Sequence, residues 1–163
     1  MHLATLKTIS VIQIIGAAFL ILGCIMEVYN IPETRNTISL ILYALFIMYA
    51  GISIYYGTAL WSRKPSAKMP CIVIWALQIP FLISNPLSYY VVLGVGFVIH
   101  ANVTSTFTGI AFDFSIPEKH IFYVSGRPEI LSFGINFFAA LVTHHLLLYK
   151  STVIETPTEG VNS

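Results

Sequence analysis

From Met69 to Phe112 the chain runs for 44 consecutive residues without an aspartate, glutamate, lysine or arginine. A helix of about 20 apolar residues crosses the ~30 Å hydrocarbon core of a bilayer, so this stretch exceeds the requirement twice over. Its first part, Cys71 to Ile99, is apolar enough to span, and the remainder is polar but uncharged. Three other runs, Thr8 to Met26, Ile38 to Trp61 and Ile130 to Tyr149, also lack those four residue types. Charged residues form 9% of the 163-residue chain and apolar residues 56%, where a soluble domain carries about 25% charged. Too little polar surface exists to coat a globule in water. These features predict an all-α integral membrane protein, a four-helix transmembrane bundle with helices over residues 8–28, 38–61, 71–99 and 130–149. Residues 1–150 form one domain, and the polar segment 151–163 reads as a disordered cytoplasmic tail.

Charge placement orients the bundle. The connection Ser62 to Pro70 holds Arg63, Lys64 and Lys68 and no acid, which the positive-inside rule assigns to the cytoplasm. That side collects Lys7, Arg63, Lys64, Lys68 and Lys150, against Arg35, Lys119 and Arg127 on the other, so both termini are expected inside. The membrane is plasma or endomembrane for a eukaryotic chain and inner membrane for a bacterial one. Trp61, at the end of its run, suits the headgroup level, where an indole keeps its body in hydrocarbon and its N–H in water. A net charge of +1 without a large basic patch excludes nucleic acid as a partner. Lys7, an apolar run and Leu22-Gly23-Cys24 have the outline of a lipoprotein signal. A large Leu22, and Ile25-Met26 prolonging the run past Cys24, favour a helix that stays in place. Cys24 and Cys71 fall near opposite membrane faces, too far apart to bond. Cys71, beside the basic connection, is either an acylation site or an ordinary juxtamembrane thiol.

Tyr55-Tyr56-Gly57, then Arg63-Lys64, then Pro70 opening a run with Trp75 and Gln78, resembles the middle of eukaryotic tetraspan families such as the lysosome-associated transmembrane and MARVEL-type proteins. The resemblance covers about 25 residues of the chain. The outer segments lack the cysteines of those families, and the tail lacks a Pro-Pro-x-Tyr motif. It implies membrane trafficking or organisation rather than catalysis.

Pro80 and Asn85-Pro86 interrupt the third run and predict a kink or break. Beyond it, residues 100–129 form a long outer loop. There Ile110, Phe112, Phe114 and Ile116 alternate with Ala111, Asp113 and Ser115, the period of a half-buried strand, and Thr104, Thr106 and Thr108 extend the register. After a turn at Pro117, His120 to Val124 offers a second strand. A small extracytoplasmic β-hairpin between helices three and four is expected. Its aromatic face, Ile110, Phe112, Phe114, Ile116 and Phe122, is the candidate partner-binding surface, since a lone hairpin is marginal in water. Asn102-Val-Thr104 matches an N-glycosylation acceptor.

Counted at 1.5 Å per residue from the cytoplasmic charges, Gln13, Tyr55, Tyr56, His144 and His145 lie roughly 7 to 12 Å deep, with Gln78 a little deeper. Gln13, Tyr55, Gln78, Asn85 and His144 are therefore a candidate intramembrane polar layer, either a hydrogen-bonded girdle or a cavity lining. Asn85 and Asn136 form a second, deeper pair. His144 and His145 point about 100° apart on a helix and cannot share one ion. No catalytic, cofactor or metal motif is present, and none is assigned. The expected function is that of a non-enzymatic membrane organiser, trafficking adaptor or accessory subunit, with membrane lipids and other membrane proteins or further copies of itself as partners. The alternatives are an oligomeric channel or transporter built on the kinked third helix and, behind it, a redox or metal enzyme using the histidines.

Overall fold

The computed structural model describes residues 3–30, 37–83, 88–89, 91–92, 95–103, 108–115 and 131–149. Two long helices, α1 (Leu3–Asn30) and α2 (Thr37–Trp61), come first. A 3-10 turn (Pro65–Ala67) leads into α3 (Lys68–Ala76). Then follow β1 (Pro80–Ile83), β2 (Ser88–Tyr89), β3 (Gly96–Val103), β4 (Thr108–Ser115), β5 (Leu131–Asn136) and α4 (Phe137–Leu148). The strands form one antiparallel sheet in the order β2-β1-β5-β3-β4.

At 28 and 25 residues, α1 and α2 measure roughly 42 and 37 Å, and both are long and apolar enough to cross a membrane. They are apolar all round rather than striped. Ile15, Phe19, Leu22 and Met26 of α1 and Ile41, Leu45, Met48 and Ile52 of α2 lie exposed on their outer surfaces. The two helices approach closely at Gly57, where an added Cβ would come within 2.9 Å of Ile14 Cγ1. Tyr43 Oη donates to Glu27 Oε2 at 2.8 Å to tie their far ends together.

α2 ends in a Schellman cap: Arg63 N–H bonds Leu60 O and Lys64 N–H bonds Ala59 O. The residue in the left-handed position is Arg63, with φ 58°, where a side chain costs roughly 1–2 kcal/mol relative to glycine. The turn sends α3 back beside α2. Lys68 then reaches the last carbonyls of α4, Leu147 O at 3.4 Å and Tyr149 O at 2.5 Å. Lys7 Nζ lies 5.0 Å from the centre of the Trp61 ring. The start of α1, the end of α2, the start of α3 and the end of α4 therefore meet at one end of the molecule. Here Leu6, Ile9, Leu60, Cys71, Trp75, Val142 and Leu146 make one buried cluster contributed by all four helices.

The expected third spanning helix over 71–99 is corrected: α3 stops at Ala76 and the chain continues as strand. Pro80 has no N–H and disfavours helical geometry at Ile79. Beyond it, Val91, Val92, Val95, Val98 and Ile99, with Gly94 and Gly96, weigh against resuming a helix. The fourth helix is shortened for a related reason. It begins at Phe137 rather than Ile130, because Asn136 is extended (φ −76°, ψ 99°) and caps it, its side chain accepting from Ala139 N. Leu131–Asn136 is β5 instead. Four helices are thus present among the described residues, two of them of spanning length, together with a five-stranded sheet larger than the expected hairpin. The expected second hairpin strand, His120 to Val124, lies outside the described residues, and β4 pairs with β3.

Candidate functional site

The two faces of the sheet differ in kind. Directly opposed residues share a face, and the register sets Phe97 beside Phe114, Ile99 beside both Phe112 and Ile135, and Ala101 beside both Ile110 and Phe133. Val103 and Leu131 extend this face, and Thr108, opposite Val103, ends it as its one polar member on β4. The other side chains named here are apolar. Those of the central strand β3 are half-buried, while the flanking Ile110, Phe112 and Phe114 are 72%, 66% and 65% exposed, and Leu131, Phe133 and Ile135 are exposed with them. Three adjoining strands thus present a continuous aromatic and aliphatic surface, larger in kind than the scattered apolar residues of an ordinary protein surface.

The opposite face carries the polar groups, set around the buried Val98, with Asp113 exposed on the edge strand β4. His100, 8% exposed, lies across from Gly134. A Cβ at Gly134 would meet the carbonyl oxygen of Ile99 and approach His100 Cβ to 2.6 Å, so only glycine lets β3 and β5 come this close. His100 Nε2 lies 2.9 Å from Asp113 Oδ2, and its Nδ1 lies 3.0 Å from Asn102 Oδ1, which also accepts from Ser132 Oγ at 2.5 Å. Asn102, the acceptor residue of the glycosylation triplet, is therefore engaged in this chain of bonds. Asn136 continues the polar face: its Oδ1 accepts from Phe97 N at 3.4 Å and from Ala139 N at 3.3 Å, while its own N–H donates to Ile79 O at 2.8 Å. Asn136 thus joins the turn after α3, strand β3 and the start of α4, while Asn85, its expected partner, lies outside the described residues.

The candidate polar layer comes apart into separate roles. Gln13 is fully buried, and its amide bridges three helices: Nε2 donates to Ser53 O at 2.9 Å and lies 3.7 Å from Cys71 Sγ, and Oε1 accepts from Trp75 Nε1 at 2.9 Å. Gln78, two residues past the end of α3, is also buried but folds back, Nε2 donating to Ile74 O of that helix at 3.1 Å. Tyr55 is 65% exposed, and His144 and His145 are exposed too. None of these three joins Gln13. Asn85, Ile116 and Phe122 lie outside the described residues. Among the described residues, no group of three or more His, Cys, Asp or Glu could hold a metal ion.

Cys71 is fully buried, its thiol donating to Tyr56 O at 3.5 Å, so an acyl chain there would require the helix to leave its packing. Cys24 is buried in a separate cluster with Ala17, Leu20, Ala50 and Ile74; both cysteines are free thiols.

Sequence reasoning placed Ile110, Phe112 and Phe114 on one strand face and missed their neighbours on β3 and β5. The signal was there: Phe97, Ile99, Ala101 and Val103 alternate with Val98, His100 and Asn102, and Leu131, Phe133 and Ile135 with Ser132, Gly134 and Asn136. Averaging hydropathy over a spanning length erases that period of two. No protein-family model, curated protein or solved structure matches this chain.

Proposed function

We propose that this chain is a multi-pass membrane protein that works without catalysis, as an organiser or accessory subunit, and docks another membrane protein through the apolar face of its sheet. α1 and α2 cross the bilayer. The end where all four helices meet faces the cytoplasm, so both chain termini lie inside. The sheet stands at the other ends of α3 and α4, which at nine and twelve residues rise roughly 14 and 18 Å from that face, so its apolar face lies within the depth that α1 and α2 cross, in reach of a second membrane protein. Support for the crossing comes from two apolar helices with Ile15, Phe19, Ile41 and Met48 turned outward, because hydrocarbon accommodates such surface and water does not. The orientation follows from Lys7, Arg63, Lys64 and Lys68 at one end.

The observation that carries the docking role is the surface around Ile110, Phe112, Phe114 and Phe133. Exposed aromatic faces of this kind mark interaction sites. The resemblance of the 55–78 region to tetraspan families points toward the same non-catalytic reading. A channel along the third run has less to rest on, since that run bends into strand at Pro80 and Gln13 is closed off by Trp75.

The experiment is site-specific photo-crosslinking from position 112, followed by mass spectrometry after purification in mild detergent. A stoichiometric adduct with a different membrane protein, lost when Phe133→Ser is added, is the expected result. Adducts with lipid alone would make the face a membrane-resting surface, and adducts with a second copy would make it a self-association surface. Either outcome overturns the accessory-subunit reading.

A further inference from the structure

Every lysine and arginine among the described residues sits at one end of the molecule: Lys7 on α1, Arg63 and Lys64 on the turn after α2, and Lys68 opening α3. The described carboxylates lie elsewhere, Glu27 bonded to Tyr43 near the far end of α1 and Asp113 beside His100 in the sheet. Lys68 is committed to the carbonyl end of α4. Arg63 and Lys64 are exposed, and among the described residues neither forms an ion pair. Lys7 is half-buried above the Trp61 ring, which is itself 44% exposed, so a cation and an interfacial aromatic are fixed at one depth.

Arg63 adds an independent observation. Its backbone occupies the left-handed region at φ 58°, in a Schellman cap whose usual occupant is glycine. The helix would end more easily without a side chain at this position. The left-handed backbone thus holds an exposed guanidinium at the end of α2, next to a second exposed cation, Lys64.

We infer that this end of the protein binds anionic phospholipid headgroups. The Arg63 guanidinium grips phosphate oxygens through its planar fork of donors. Lys64 adds a second positive charge, and the Lys7–Trp61 pair sets the depth at the glycerol level. The inference rests on the reading that α1 and α2 cross a bilayer.

The test uses Trp61 as reporter, with the full chain reconstituted in phosphatidylcholine vesicles. A fixed fraction of the lipid is phosphatidylglycerol or phosphatidylcholine brominated close to the glycerol, and the quenching of tryptophan emission by each is compared. Trp75 is fully buried, and the Trp61→Phe variant isolates its contribution. Preferential quenching by phosphatidylglycerol, roughly fivefold for each cation engaged, is expected, collapsing in molar salt where the screening length is ~3 Å. Arg63→Gly, which suits the backbone, combined with Lys64→Gln should abolish the preference while the helix content stays unchanged. Arg63→Lys should keep most of it. Equal quenching by the two lipids, or a preference that survives the double variant, overturns the inference while leaving the spanning reading intact. Quenching by neither lipid overturns both.

Discussion

Gln13 Oε1 accepts the indole N–H of Trp75 at 2.9 Å, both side chains fully buried, so that a residue three turns into α1 settles the position of α3. Tyr49 Oη donates to Ile74 O at 2.8 Å from α2, and Trp75 meets Phe138 of α4 edge-on at 5.9 Å between ring centres. A nine-residue helix is thereby held by all three of its neighbours. Removing a buried partner leaves the other group desolvated and unpaired, at about 1–3 kcal/mol. Gln13→Leu keeps most of the volume and strands the Trp75 N–H. It should lower unfolding stability in detergent by that amount and shift Trp75 emission when measured in a Trp61→Phe background. Unchanged stability and emission would mean that α3 is placed by apolar packing alone.

Gly134 is the closest crossing of β5 and β3. A methyl group there meets backbone, the Ile99 carbonyl and His100 Cα at 2.7 Å, which cannot move without breaking strand pairing. Gly134→Ala should cost about 1–3 kcal/mol as overpacking and weaken the β component of the infrared amide band, leaving helical signal in place. Gly51, with nothing within 4 Å of its added Cβ, supplies the control.

Asn136 both caps α4 and receives the Phe97 N–H. Loss of a cap costs about 0.5–2 kcal/mol, and serine substitutes well for asparagine in that role. Asn136→Ala should therefore destabilise by roughly 1 kcal/mol or more, and Asn136→Ser should recover most of the loss. Hydrogen exchange at the amide of Ala139, faster in the alanine variant and near normal in the serine variant, checks the assignment.

Lys68 neutralises the carbonyl end of α4 from the first residue of α3. A cation at a helix C-terminus contributes about 0.3–1 kcal/mol, more when partly buried. Lys68→Met should lower the melting temperature of the detergent-solubilised protein and fray α4 from its last turn. Lys64→Met, on an exposed side chain, should not.

Much of the helical part was legible because hydropathy and charge report it directly. The absence of charge over Thr8 to Met26 and Ile38 to Trp61 located α1 and α2, and Arg63, Lys64 and Lys68 marked the end where they meet. The alternation around Phe112 identified β4 and one edge of the candidate surface. The polar layer was less legible. Depth counted along a helix says nothing about azimuth, and it is azimuth that turns Gln13 inward toward Trp75 while Tyr55 and His144 turn out.

By itself the sequence determined that this chain is unusually apolar, that its first two runs are helices of membrane-crossing length, and that Arg63, Lys64 and Lys68 cluster after the second. These follow from composition and local order, which act residue by residue. Only tertiary structure decided what the long uncharged stretch becomes. Leu131–Asn136 and Gly96–Val103 are apolar enough for either a helix or a strand, and a strand is stable only when another strand lies beside it. The pairing of β3 with both β4 and β5, and the closeness that Gly134 allows, supply the hydrogen bonds that a helix would have made within itself. Those partners lie as far apart in the chain as Val98 and Asn136, 38 residues, beyond the reach of any local pattern.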